Sequence, residues 1–378
     1  MTTVALVTSI GYSVPNFRAT LIRALVERGV RVIAMAPDYD DPLRARVRNL
    51  GAEPVDISLQ RAGLMPGRDL VDAAGLWRQF RRYRPDAVLN YFAKPVIYGG
   101  LAARAAGVPR RIAMLEGLGY IFGEDAGTSV KRRLVRQVAE RLYRLALATA
   151  DRTVFLNQED RALFVERGIV RPDRAINIGG VGVRLPDYSV TPPPTSPVTF
   201  LLMARLLREK GVVEYVEAAR LVKRSRPDVR FVLLGGPDLN PTGLTEDEVG
   251  QWVREGVIEW PGHVDDVRDW VARSSVFVLP SFYREGVPRS IQEAMAMGRP
   301  IITTDQVGCR DTVEPGVNGF LVPMRAVEPL AEAMLRFVER PDLIATMGAA
   351  SRRLAEERFD VARTDRLLID LLLGTAIP

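Results

Sequence analysis

The sequence predicts an α/β protein built from two doubly wound domains in series. Short apolar runs alternate from end to end with polar or glycine-containing loops and helical stretches, the pattern of parallel sheets. At 378 residues the chain is long for a single core. Between Gly179 and Pro197 the alternation gives way to Gly-Gly-Val-Gly-Val and then Thr191-Pro192-Pro193-Pro194-Thr195-Ser196-Pro197, a stiff polar connector. The expected division is therefore a first domain over 1–185, a connector over 186–197 and a second domain over 198–360. A final helical stretch, within 361–378, packs back on the first domain.

In the first half, Val4 to Thr8 reads as a strand that runs into the loop around Gly11 and then a helix from about Arg18 to Arg28, ending at Gly29. Val32–Ala36, Ala87–Asn90, Arg111–Leu115, Thr153–Asn157 and Ala175–Ile178 follow as strands. The second half repeats the scheme with Thr199–Met203, Arg230–Leu234, Glu259–Trp260, Val276–Leu279 and Pro300–Thr303.

Composition narrows the function. Hydrophobic residues make up 47% and charged residues 26%, a globular balance. The apolar runs are too short to span a bilayer, and the N-terminus has no signal-peptide pattern, so the expected compartment is the cytoplasm. One cysteine, Cys309, excludes an internal disulfide and a cysteine-cluster metal site. Lys and Arg exceed Asp and Glu by 52 to 46, a net +6 that suits anionic partners such as phosphorylated small molecules or lipid surfaces. No finger, aromatic-basic motif or basic tail indicates nucleic acid.

The stretch Ser281–Pro300 reads as strand end, loop and capped helix. Pro288 suits the first helical position, and Gly298-Arg299-Pro300 supplies the stop. Such a loop at the carboxyl edge of a sheet is where open α/β folds bind ligands. The first-turn amides of Val287, Arg289, Ser290 and Ile291 favour an anion. Glu293 lies about five residues into the helix, roughly 7 to 8 Å along its axis, the span from a phosphate to the ribose it esterifies. Glu285 precedes the helix, towards whatever the phosphates carry. Upstream, Arg205 and Lys210-Gly211 place two cations at the same sheet edge, so that the two loops together hold a diphosphate. Taken singly, these cations read first as solvated surface charges, and Glu293 first as a capping or exposed helix carboxylate; the pairing of the two loops reverses that order.

With Glu285, seven intervening residues, Glu293-Ala294, and Arg205 and Lys210-Gly211 upstream, the chain resembles the retaining glycosyltransferases of family 4, which have the GT-B fold. The resemblance spans essentially the whole chain, including the Gly11 loop after the first strand. It implies two Rossmann-like domains facing a cleft, with the C-terminal helix crossing back. It also implies that Arg205 and Lys210 bind the donor diphosphate, Glu293 the ribose, and Glu285 the transferred sugar, while backbone groups of Gly262, His263 and Val264 flank the base. Neither a metal nor a cofactor is implied, because cations and helix amides take that role and the nucleotide sugar is a co-substrate.

Two departures stand out. Val287-Pro288 replaces the Phe-Gly common in the family, and Glu116-Gly117 stands where many members have a histidine near the reacting centre. Glu116 is either an acceptor-hydroxyl ligand or a structural loop residue. Leu115–Tyr120, Arg284–Met295 and Gly308-Cys309-Arg310-Asp311 are most similar to bacterial enzymes that extend polyprenyl-diphosphate-linked sugars. The expected reaction is transfer of a hexose or N-acetylhexosamine from a nucleotide sugar, UDP-linked, to a lipid-linked glycan acceptor in cell-surface glycan assembly. The stretch 129–147 interleaves Lys131, Arg132, Arg133, Arg136, Arg141 and Arg144 with leucines and valines at helical spacing. That reads either as a helix lying on an anionic membrane surface or as a domain helix with a solvated face. Rival readings are a nucleotide-sugar epimerase or hydrolase, a transferase with a soluble acceptor, and a non-catalytic binding protein. A dinucleotide oxidoreductase is disfavoured because Gly11 stands without the three-glycine fingerprint.

Overall fold

The computed structural model describes residues 1–59, 65–122, 130–238, 240 and 242–375. The chain separates into two compact units, one formed by Met1–Val181 with Val361–Pro378 and the other by Gly182–Asp360.

In the first unit β1 (Thr3–Val7) leads to α1 (Ser13–Phe17) and α2 (Ala19–Glu27), β2 (Arg31–Ala36) to α3 (Asp41–Asn49), and β3 (Ala52–Asp56) to α4 (Pro66–Tyr83). After β4 (Ala87–Tyr91), a π-helical turn at Pro95–Gly99 runs into α5 (Gly100–Ala106). β5 (Arg110–Leu115), α6 (Val130–Leu147), β6 (Arg152–Phe155), α7 (Gln158–Glu166) and β7 (Ala175–Asn177) complete the series. The strands form one parallel sheet in the order β3-β2-β1-β4-β5-β6-β7. Helix starts carry local signals: Asp40 caps α3 by accepting from the Leu43 amide at 2.8 Å, and Asn157 caps α7 through the Asp160 amide at 2.7 Å.

The second unit contains β8 (Thr199–Met203), α8 (Val212–Ser225), β9 (Arg230–Leu234), α9 (Glu246–Arg254), β10 (Glu259–Gly262) and α10 (Arg268–Ala272). It continues with β11 (Val276–Leu279), α11 (Arg289–Ala296), β12 (Ile301–Thr304), β13 (Gly319–Val322), α12 (Val327–Glu339) and α13 (Asp342–Arg358). Its sheet is also parallel, ordered β10-β9-β8-β11-β12-β13. A capping box of Thr245 and Glu248 starts α9. Each unit has its own core: Ala5, Ile33, Val88 and Phe155 sit in the first, and Phe200, Phe231, Val278 and Ile302 in the second. The last helix, α14 (Val361–Leu373), belongs to the first unit, where it packs on α2, β4 and β5, and Arg110 donates to the Leu372 carbonyl at 2.9 Å.

Several local expectations change. β3 and β13 are edge strands absent from the sequence reading. An edge strand pairs on one side and needs fewer apolar residues, so Ala-Glu-Pro-Val-Asp carries no strand signal. The helix expected from Arg18 starts earlier, at Ser13, and breaks at Arg18, whose φ of −124° and ψ of 8° leave the helix as its side chain turns inward. Pro288 is the N-cap of α11 and not its first residue. The proline-rich stretch lies in the second unit and is tied down there. Arg299, fully buried, donates to the Thr191 carbonyl at 2.7 Å, and Ser275 Oγ to the Pro194 carbonyl at 2.6 Å. Burial without a carboxylate partner lowers the Arg299 pKa to about 10.

Candidate active site

In the second sheet the strand order reverses between β8 and β11, and the loops that leave the carboxyl ends of those two strands carry most of the expected site. Such a reversal separates neighbouring loops and opens a crevice between them. Three glycines let the backbones come together there. Gly211 and Gly308 have φ of +74° and +80°, and a Cβ on either would collide with the carbonyl of Pro280 or of Gly286. Gly235, at φ +148°, is held in the same way against the Ala204 carbonyl. The Phe282 and Tyr283 amides donate to the Glu209 carbonyl at 2.9 and 3.0 Å, locking the loop after β11 to the turn at Arg208–Lys210.

That lock brings Lys210 to Glu285. Their side chains form an ion pair with 13% and 10% of their surfaces exposed. Ser281 Oγ also donates to Glu285 Oε1 at 3.0 Å, and Lys210 Nζ lies 5.4 Å from the centre of the Tyr283 ring. The sequence reading gave this lysine to the diphosphate and this glutamate to the transferred sugar; the structure brings the two side chains into direct contact. Cys309 lies beneath them, and burial, with the Glu285 charge adding, pushes its thiol up to about 12. Arg205 is farther out along the same edge, 38% exposed, donating to Asp238 Oδ2 at 2.7 Å.

The start of α11 has no side-chain cap. Its N-cap is Pro288, which offers no side-chain oxygen, and no side-chain hydrogen bond caps the helix. Val287 and Ile291 are buried, so these two positions offer a ligand only backbone. Gln292, fully buried, pins the turn by donating to the Val287 carbonyl at 3.0 Å and accepting from the Gly182 amide at 3.0 Å. Glu293 Oε1 accepts from Tyr188 Oη and Arg289 Nε, both at 2.9 Å. Burial and the Glu293 charge raise the Tyr188 pKa, so this hydroxyl stays a donor. Gly262, at φ +88°, ends β10, and His263 and Val264 follow it at the same edge, with the histidine side chain 63% exposed and 3.5 Å from Asp265.

Gly11 and Glu116 belong to the first unit. Gly11 sits after β1, with its amide on Asp38 Oδ1 at 2.5 Å, where a Cβ would meet that carboxylate. Glu116 follows β5 and pairs with Arg18; the two side chains are 6% and 2% exposed. Sequence reading missed Arg18, Tyr188, Ser281 and Asp238, because each is defined by a partner that lies 4 to 105 residues away. Among the described residues no cluster of three or more His, Cys, Asp or Glu is arranged to hold a metal ion.

The family model described as Glycosyltransferase Family 4 matches residues 16–178, and the one described as Glycosyl transferases group 1 matches residues 197–340. A Campylobacter jejuni protein, N,N'-diacetylbacillosaminyl-diphospho-undecaprenol alpha-1,3-N-acetylgalactosaminyltransferase, is 29% identical over 343 residues, 87% of each chain. An Escherichia coli UDP-Gal:alpha-D-GlcNAc-diphosphoundecaprenol alpha-1,3-galactosyltransferase is 25% identical over 82% of this chain and 81% of its own. Anabaena HepE in complex with UDP superposes with a TM-score of 0.75 at 20% identity, covering 99% of this chain and all of that one. Sucrose-phosphate synthase from Thermosynechococcus elongatus superposes at 0.77 with 18% identity and the same coverage. With both halves matched and the fold shared along its length, the chain belongs to glycosyltransferase family 4 and has the GT-B fold.

Proposed function

We propose that the protein transfers a hexose or N-acetylhexosamine, with retention and without a metal, from a UDP-sugar to a polyprenyl-diphosphate-linked sugar in bacterial cell-surface glycan assembly. The observation that carries the reading is the pairing of Lys210 with Glu285 beside a helix start whose cap is a proline. A diphosphate bound there meets the α11 amides directly and draws Lys210 off the carboxylate, which leaves Glu285 to accept from the sugar hydroxyls. Glu293, oriented by Tyr188 and Arg289, accepts from the ribose. The printed names of the Campylobacter and Escherichia relatives support the acceptor class, and the UDP in the Anabaena structure is consistent with the nucleotide.

In the reaction the bond between the anomeric carbon and the diphosphate oxygen breaks, and its electron pair goes to the phosphate. The acceptor oxygen bonds to the anomeric carbon on the same face, and its proton passes to the departing phosphate oxygen, so UDP leaves. No protein base is needed. Arg205, Lys210 and the helix amides stabilise the charge on the leaving group. Incubation with a panel of UDP- and GDP-sugars, with and without a polyprenyl-diphosphate glycan and in EDTA, tests the reading by product mass. Acceptor-dependent gain of one sugar from a UDP donor, undiminished by EDTA, is expected. Donor consumption without acceptor points to an epimerase or hydrolase, and binding without turnover to a non-catalytic protein.

The acceptor class implies a lipid surface, and the first unit carries a face that suits one. Val130, Leu134, Val138 and Leu145 of α6 are exposed and form a second apolar stripe, opposite the buried Ala139, Tyr143 and Ala146. Arg133, Arg141 and Arg144 accompany it, exposed. Leu70, Val71 and Trp77 of α4 are exposed as well, and α4 and α6 both pack on the turn at Pro95–Gly99. No described helix is long and apolar enough to cross a membrane, so the proposed association is peripheral. The protein is expected to float with vesicles containing phosphatidylglycerol and not with pure phosphatidylcholine. At about 1 kcal/mol per arginine near an anionic surface, replacing Arg133, Arg141 and Arg144 by Gln weakens that partition roughly a hundredfold. Unchanged flotation rejects this face.

A further inference from the structure

We propose that Arg18 is a positioning residue that fixes Glu116 to receive the acceptor hydroxyl, a role that rests on the transferase reading above. In the first sheet the order reverses between β1 and β4, with β5 next to β4, so the loops after these three strands share one edge. Arg18 links all three. Its guanidinium lies 4.7 Å from the Tyr91 ring centre at the end of β4, donates to Met114 Sδ at 3.4 Å and pairs with Glu116 Oε1 after β5. Tyr91 is in turn held to the loop after β1, with its Oη 3.1 Å from Ser13 Oγ, itself 3.1 Å from Thr8 Oγ1.

A stabilising role alone gives a weak account of this pair. Two charges with 2% and 6% of their side chains exposed lose their hydration, and apolar residues of the same volume usually hold such a place equally well. The chain also interrupts the helix between α1 and α2 so that Arg18 turns inward. Only one carboxylate oxygen is committed: among the described residues Glu116 Oε2 has no hydrogen-bond partner. Beyond it Gly117 and Gly119, at φ +115° and +60°, turn the backbone away without a side chain at either position. One oxygen is thus clamped by a cation and the other is left to accept, beside the reversal where a doubly wound sheet takes its ligand. A sugar hydroxyl is a donor of matching chemistry, and a hydrogen bond to Oε2 holds it at this edge of the first sheet.

The test uses the full chain, a UDP-sugar that supports transfer and a short polyprenyl-diphosphate-linked N-acetylhexosamine. For Glu116→Gln and Arg18→Met, kcat/KM for the acceptor is expected to fall at least tenfold, while UDP affinity by calorimetry stays within twofold of wild type. Arg18→Lys recovers part of the loss. The pair of substitutions Arg18→Met and Glu116→Met, which removes both charges together, keeps the wild-type melting temperature and still fails to transfer. A purely structural ion pair predicts the reverse: that double variant restores both stability and transfer. Either that result or wild-type acceptor kinetics in Glu116→Gln overturns the proposal. A wild-type protein that transfers to no lipid-linked acceptor overturns the functional reading instead, and this inference with it.

Discussion

Lys210→Ala is expected to lose about 10² to 10³ in kcat, the usual effect of removing one preorganised partner of a developing charge. The argument follows from what the lysine touches. Lys210 is paired with Glu285 at a site with little exposed surface. A diphosphate that replaces the carboxylate as its partner gains charge as the sugar departs, so the interaction is stronger in the transition state than in the bound donor. That differential makes kcat fall further than donor affinity. Removing the lysine does not threaten the two cores, since neither Lys210 nor Glu285 contributes to them. A melting temperature for Lys210→Ala that stays above the assay temperature while turnover falls separates catalysis from folding. Wild-type turnover in Lys210→Ala rejects the assignment of the site.

Glu293→Ala is expected to weaken UDP binding about 10- to 150-fold, because hydrogen bonds to a charged group contribute about 1.5 to 3 kcal/mol and 1.4 kcal/mol is a factor of ten. Its effect belongs in affinity and donor KM, since ribose is bound alike before and during transfer. Tyr188→Phe removes one of two donors that aim the carboxylate and should weaken binding less than tenfold. Calorimetry with UDP and with 2′,3′-dideoxy-UDP isolates the contact. Wild type prefers UDP, and Glu293→Ala binds the two alike. A preference that survives the substitution places the ribose elsewhere.

Much of this was legible along the chain. The alternation of short apolar runs with loops holds in both sheets because parallel strands, covered on both faces, need continuous apolar residues. The strands that escaped, β3 and β13, both lie at sheet edges, where that requirement relaxes, while the other two edge strands, β7 and β10, were read. The cation pair, the carboxylates and the helix start were readable because they lie in single loops whose place after a strand fixes which edge they occupy. Their partners were not: Tyr188 meets Glu293 across 105 residues, Arg18 meets Glu116 across 98, and nothing in local spacing encodes either. The proline run between the halves reads as a connector from composition, yet Arg299 and Ser275 fasten it to the second unit.

The loop and helix from Glu285 to Glu293 show the same division. Sequence determined that a loop after an apolar strand leads into a helix near a proline, with one carboxylate before it and one inside it, because those facts depend on neighbours within a few residues. Tertiary structure decided what each carboxylate holds. Gly211 and Gly308 let three loops approach within contact, which delivers Lys210 to Glu285, while Tyr188 and Arg289 converge on Glu293. Pairing across a sheet edge depends on strand order, and strand order is set by how the whole unit packs.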